Sequence, residues 1–222
     1  MHDSIEILRF TVGPFEENVY VVVGPSGRRA AIVDPGIGSE ALLEGLEARG
    51  LALEWIVNTH GHLDHAAGNR FFKERTGAAL AIHRADVPYL RDLEAQGRAF
   101  GLSLSSSPDP DVELREGTPL VLDGVPLGVI HTPGHTPGSA CIALGERVLV
   151  GDTLFRGSVG RTDLPGGSWP DLEDSIRRKL YRLPGVTACL PGHGPETTIG
   201  EERSTNPFVS DPLAATAAED LP

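Results

Sequence analysis

Hydrophobic and polar positions change period several times along the chain, and each change predicts an element. Ile5 to Val12 alternates apolar and polar residues, Asn18 to Val23 is aromatic and β-branched, and Ala30 to Val33 continues in kind until Asp34-Pro35-Gly36. These read as three strands joined by turns. Ser39 then stands where a helix cap would, with Leu42, Leu43 and Leu46 on one face and Gly50 as the stop. Leu53–Asn58 predicts a strand, Ala66–Thr76 a helix ending at Gly77, and Ala78–Ile82 another strand. Arg84–Arg98 reads as a helix broken by Pro88, and Gly101–Asp111 as a Ser/Pro loop.

From Val112 onward the period is that of strands: Leu120–Leu122, Val125–Ile130, Ala140–Leu144 and Val148–Val150. Ser168, with Asp171 three residues on, resembles a capping box. The helix it opens carries Leu172, Ile176 and Leu180 on one face, and Val186–Leu190 is the last strand. Two halves, each of strands followed by helices, predict two packed sheets with helices outside, an α/β fold of the four-layer αββα kind. One domain over residues 1–208 is expected, with an acidic, loosely held tail at 209–222.

Composition narrows the function classes. The 222 residues carry 19 Lys+Arg against 31 Asp+Glu, a formal charge of −12. That balance repels nucleic-acid phosphates and anionic membrane, so neither is an expected partner. The two cysteines, Cys141 and Cys189, lie in apolar runs, which argues for buried thiols and against a disulfide scaffold. No leader-like start and no long apolar stretch is legible, so a cytoplasmic protein is expected.

Five of the eight histidines cluster at sharp turns after predicted strands. The first cluster is Thr59-His60-Gly61-His62-Leu63-Asp64-His65. In an extended segment residues i and i+2 point the same way, so His60 and His62 converge. Asp64 and His65, opening the next helix, can face a second centre, and Gly61 permits a tight turn between. His135 follows in HTPGHTPG, Asp152 in GDT, and His193 in PGHG. One metal could take His60, His62 and His135, and a second Asp64, His65 and His193, with Asp152 bridging. Each ion would keep a position open for water, as catalytic sites do. Imidazole and carboxylate donors without thiolate suit two zinc ions, and iron or manganese accept the same set.

Other residues are more ambiguous. Asp34 is either a turn residue or an acceptor that orients a ligand histidine. His83 either faces the site or caps a helix, and His131 belongs to a strand. Arg156 and Arg161, in the Gly-rich loop after Asp152, could hold a substrate carboxylate.

THGHLDH, PGHTPGS, GDTLF and PGHGP together resemble the metal-binding motifs of the metallo-β-lactamase-fold superfamily, in order and spacing from about Ile5 to Phe208. GDTLFRGSVGRTDLPGG and PGHGPETTIGEERSTNPF resemble its compact bacterial glyoxalase II-like branch. The resemblance implies an αββα sandwich with metals at one rim. It also implies hydrolysis of S-2-hydroxyacylglutathione thioesters such as S-D-lactoylglutathione. In that reading Asp64 is also a catalytic group, orienting the hydroxide, and Arg161 matches a position that contacts the glutathione carboxylate. Asp163 stands near where longer glyoxalase II enzymes have an aromatic residue, and their helical glutathione-binding domain has no counterpart here. The related persulfide dioxygenases suggest an alternative, one iron held by His60, His135 and Asp152.

Overall fold

The computed structural model describes residues 5–211. His2 and residues 212–222 of the expected tail lie outside the described residues. The first half supplies β1 (Glu6–Val12), β2 (Glu17–Val23), β3 (Arg29–Val33), α1 (Leu42–Ala48), β4 (Ala52–Val57), α2 (Leu63–Ala66), α3 (Asn69–Thr76), β5 (Ala79–Ile82), α4 (Val87–Arg91), α5 (Leu93–Ala99) and β6 (Val112–Glu113). The second half supplies β7 (Leu120–Leu122), β8 (Val125–His131), β9 (Ala140–Leu144), β10 (Arg147–Gly151), β11 (Leu154–Phe155), β12 (Ser158–Val159), α6 (Trp169–Arg178), β13 (Ala188–Pro191), β14 (Thr197–Thr198) and α7 (Ile199–Thr205).

One six-stranded sheet has the order β1-β2-β3-β4-β5-β6 and the other β14-β13-β10-β9-β8-β7. Alternation along β2 shows why they stack. Val19, Val21 and Val23 face a core shared with α1 and α3, while Tyr20 and Val22 face the opposite sheet. A third core packs Cys141, Val148 and Val150 against Leu172, Ile176 and Leu180. Three apolar layers between four layers of structure make the αββα sandwich. Each fully buried Val or Leu contributes about 1.5–3 kcal/mol to it.

Strand direction decides where the chemistry goes. β3, β4, β5 and β6 run parallel. β8 and β10 are both antiparallel to β9, and β10 is parallel to β13. The carboxyl ends of β4, β8, β10 and β13 therefore meet at one rim. Hydrogen bonds close the two sheets there, Asn18 N–H donating to Gly192 O (2.7 Å) and Ala140 N–H to Thr59 O (2.8 Å).

Several expectations shift. The helix predicted over 66–76 is two, α2 and α3, because Gly68 turns between them and its N–H donates to Pro35 O at 2.8 Å. Pro88 opens α4 instead of breaking a helix, since its missing N–H costs nothing in a first turn. Ser39 donates its hydroxyl to Gly36 O, and Ser168 caps α6 without a side-chain bond. Packing also runs past the boundary expected at 208: Val209 is fully buried and Arg177 donates to Ser210 O.

Candidate metal centre

The loop after β4 is shaped by buried amides. Asn58 donates to the carbonyl of His65 (2.9 Å) and accepts from Asn69 (2.7 Å), which folds the segment back into α2. Gly61 has an ordinary negative φ, so left-handed freedom is not what it supplies. A Cβ there would press on Tyr89 Cβ and Asp86 O at 2.6 and 2.9 Å, so the requirement is close approach.

His60, His62 and His135 bring one ring nitrogen each to a common point, and Asp64, His65 and His193 do the same beside it. His135 Nδ1 faces the Arg161 carbonyl at 2.7 Å and must donate to it, which leaves Nε2 a bare lone pair. Thr59 Oγ1 gives its one proton to Asp34 Oδ2 (2.6 Å) and so accepts from His60 Nδ1 (3.1 Å). His60 Nε2 is then also bare, yet it lies 3.2 Å from His135 Nε2, with His62 Nδ1 2.9 Å from the same atom. Lone pairs held face to face are repulsive unless a cation sits among them, and the donor set fits one.

The second cluster is built alike. His193 Nε2 lies 3.2 Å from Asp64 Oδ2 and 3.3 Å from His65 Nε2. Asp152 spans both groups: Oδ1 is 3.4 Å from His65, and Oδ2 is 3.7 Å from both His135 and His193. Its Oδ1 is buried without a hydrogen-bond partner, a costly state for a carboxylate oxygen unless a cation satisfies it. Gly192 makes room, because a Cβ would overlap Asp152 and His65.

Charge is distributed to match. Burial, then the neighbouring imidazoles, hold His60 well below the usual histidine range, and burial with His135 lowers His62 to about 4. Burial opposes charge on His65, but the carboxylates of Asp152, Asp64 and Asp34 outweigh it and raise its pKa well above the ordinary value. His193 is raised as well: burial opposes its charge, and the Asp64 bond and Asp152 overcome that. Burial pushes the Asp64 and Asp152 carboxyls up, and the adjacent histidines more than reverse it.

Asp34, at φ 52°, accepts from both Thr59 N (2.7 Å) and Thr59 Oγ1, and its Oδ2 lies 3.1 Å from His65 Nδ1. It orients both His60, through Thr59, and His65. His83 accepts from Ala85 N and stacks on His131, ring centroids 4.1 Å apart, away from the clusters. Arg161 lines the cleft above the clusters, paired with Asp163 at 2.8 and 2.6 Å. Arg156, expected from its position beside Asp152, is not among the residues that line the cleft. It sits at the tip of the β11–β12 hairpin, where it donates to Glu201 while Gly157 N–H donates to Glu202.

Two buried carboxyls escape the sequence pattern. Asp86 accepts from Gly61 N (2.8 Å), Gly138 N (2.6 Å) and Thr136 Oγ1 (2.7 Å), tying the first histidine loop to the second. Its only signal, a position ahead of a helical proline, reads as a cap. Glu17 is buried with neither oxygen hydrogen-bonded, 3.8 Å from His65 Nδ1, and burial raises its pKa well above the ordinary value. Nothing in the sequence marks it.

The chain belongs to the metallo-beta-lactamase superfamily, whose family model matches residues 12–193. More particularly, it is 36% identical over 211 residues to hydroxyacylglutathione hydrolase GloC of Haemophilus influenzae, covering 93% of this chain and 98% of that protein. Among solved structures, it is similar to the BLEG-1 B3 metallo-beta-lactamase, at 33% identity and TM-score 0.86 over 93% of this chain and 100% of that one. It is also similar to TTHA1623, solved in a di-iron-bound form, at 39% identity and TM-score 0.83 over 90% and 99% of the two chains. The fold and the metallo-hydrolase class follow from these matches.

Proposed function

We propose that this protein is a dinuclear metal-dependent thioester hydrolase that acts on small anionic substrates of the S-2-hydroxyacylglutathione kind. The observation that carries the reading is the pair of three-donor clusters, joined by Asp152, at the floor of one cleft. His60, His62 and His135 would hold one ion, Asp64, His65 and His193 the other, and Asp152 both. Two divalent ions there, zinc in our reading, would supply a water acidic enough to ionise near pH ~7 and a Lewis acid for the carbonyl oxygen. Asp64 lines the cleft beside His193 and is the group we assign to orienting the nucleophile.

The leaving group sharpens the substrate class. Tyr89 donates its hydroxyl to Pro165 O at 2.6 Å, so that proton is already committed. A thiolate needs no proton, since its conjugate acid has a pKa of about 8.5, whereas an amine does. The likeness to GloC supports the same choice. Arg161 is the cation we assign to the substrate carboxylate. Among the described residues no helix is long and apolar enough to cross a membrane. We read the enzyme as cytoplasmic, with neither nucleic acid nor membrane as partner.

Elemental analysis paired with S-D-lactoylglutathione hydrolysis tests this. Two zinc per chain with turnover is expected. One iron per chain with oxygen uptake on glutathione persulfide would move the protein to the dioxygenase reading. Turnover of a β-lactam without thioester hydrolysis would sink the thioester assignment.

A further inference from the structure

The cleft above the clusters measures about 700 Å³, and its walls are of two kinds. One end is the metal-ligand floor. The rest is mixed, with Asp92, Gln96, Ser158 and Arg161 at intervals among apolar residues: Ala95 and Ala99 stand one turn apart on α5, and Leu63, Phe15, Phe100 and, on β11, Phe155 line the same space. Phe100 is 59% exposed, the largest such value for an aromatic residue among those described, and it meets Phe15 edge-on at 5.3 Å. A soluble protein gains nothing by holding a large ring in water, so a ring pair that lines a concave site is a candidate ligand contact.

Charge points the same way. Arg161 is the only Lys or Arg among the described lining residues and is paired with Asp163, and outside the donor clusters Asp92 lines the same space. Apart from the ion positions, a tripeptide thiol with two carboxylates therefore meets one side-chain cation here, and the remaining selectivity falls to the acyl half. The two halves of a thioester leave its carbonyl in opposite directions. With the anionic thiol half assigned to Arg161, the wall left to the acyl half includes the residues of α2, α5 and the Phe15 loop.

We propose that this wall is an acyl subsite for an uncharged aromatic or branched aliphatic group, so that the preferred substrates are thioesters of bulky apolar hydroxy acids. This rests on the thioester reading above and specifies the acyl group that it leaves open. The small alanine faces leave space for a ring, and Phe15, Phe100 and Phe155 offer it edge and face contacts. Lactoyl, with a single methyl group, fills almost none of that space.

The test holds the thiol constant. S-mandeloylglutathione and S-lactoylglutathione differ only by phenyl for methyl, and the metal-loaded protein should process the first with at least tenfold higher kcat/KM. Ala99→Asp puts a charge into the wall and should erase that ratio, with unchanged metal content and far-ultraviolet circular dichroism as the check on folding. Phe100→Ala, at an exposed position, should reduce the ratio several-fold and serves if Ala99→Asp fails to fold. Calorimetric titration of mandelate and lactate reads the subsite without turnover, and mandelate should bind at least tenfold more tightly. Equal kcat/KM values with equal binding overturn the subsite while leaving the hydrolase standing. Tenfold tighter mandelate binding with no thioester turned over overturns the hydrolase and keeps the subsite.

Discussion

Replacing Asp86 by Asn is the sharpest probe of how the two histidine loops are held. The carboxylate takes three protons at once: Oδ1 from Gly138 N, and Oδ2 from Gly61 N and Thr136 Oγ1. Asparagine keeps one oxygen. If that oxygen serves Gly138, an NH2 group faces the Gly61 N–H, donor against donor. Leaving a buried donor unsatisfied costs about 1–3 kcal/mol, and bonds to a charged acceptor lie at the upper end. Asp86 gives back part of this, because burial raises its pKa and so opposes its charge despite the three bonds. A net loss of about 2 kcal/mol is expected, or about 4–8 °C in Tm for a chain of this size. Because Gly61 lies between His60 and His62, and Thr136 follows His135, metal affinity should fall as well. Thermal denaturation of the apo protein gives the first quantity and chelator competition the second. A Tm within 2 °C of wild type together with unchanged affinity would refute the reasoning, since the bond network would then carry no energy.

Metal uptake should release protons and weaken as pH falls. Carboxylates raise the His65 and His193 pKa values, so these groups hold protons that a cation must displace, whereas His62, at about 4, is already neutral at pH 7. Affinity for the second ion should drop by up to about two decades per pH unit as those two histidines protonate, and titration in buffers of different ionisation enthalpy will count the protons; pH-independent affinity would contradict the assignment. Gly192→Ala should cost both metal and fold, because its methyl group overlaps Asp152 and His65; full metal occupancy in that variant is the adverse result. Burial raises Cys141 from 9.0 to about 11 and raises Cys189 further. The unfolded chain loses those protons first, so stability should be intact below pH 9 and decline by about 1.4 kcal/mol per unit for each thiol above it. Denaturant titrations at pH 8 and 10 check this, as does the absence of reaction with a thiol reagent in the native state at pH 8. Stripping the metals should lower Tm, because ions that bind only the folded chain stabilise it.

The grouping of the donor residues is legible in the sequence because it is local. HxHxDH places its donors through one strand end and one helical turn, and His135, Asp152 and His193 each lie in the turn after a strand. Asp34 is legible only as an alternative, since its neighbours in sequence cannot say that Thr59, 25 residues on, will donate to it. Glu17 and Asp86 are illegible for the same reason: His65 beside Glu17, and Gly61, Thr136 and Gly138 around Asp86, are brought there from distant parts of the chain. Nearness in sequence to Asp152 does not bring Arg156 into the cleft lining, because it says nothing of which way a hairpin tip turns. Helix α7 starts on a signal the sequence carries: Thr198 accepts from Glu201 N, the T-x-x-E pattern of a capping box.

The direction of the strands has a practical side. With every ligand-bearing loop at the carboxyl ends of β4, β8, β10 and β13, the β9–β10 turn falls at the opposite edge of the sandwich. Gly145 in that turn has open space around it. A dye, an affinity tag or a fused reporter spliced in there would hang from the far edge while the cluster side stays untouched. The protein thus offers a handle for immobilisation that presents its cleft outward to the solution.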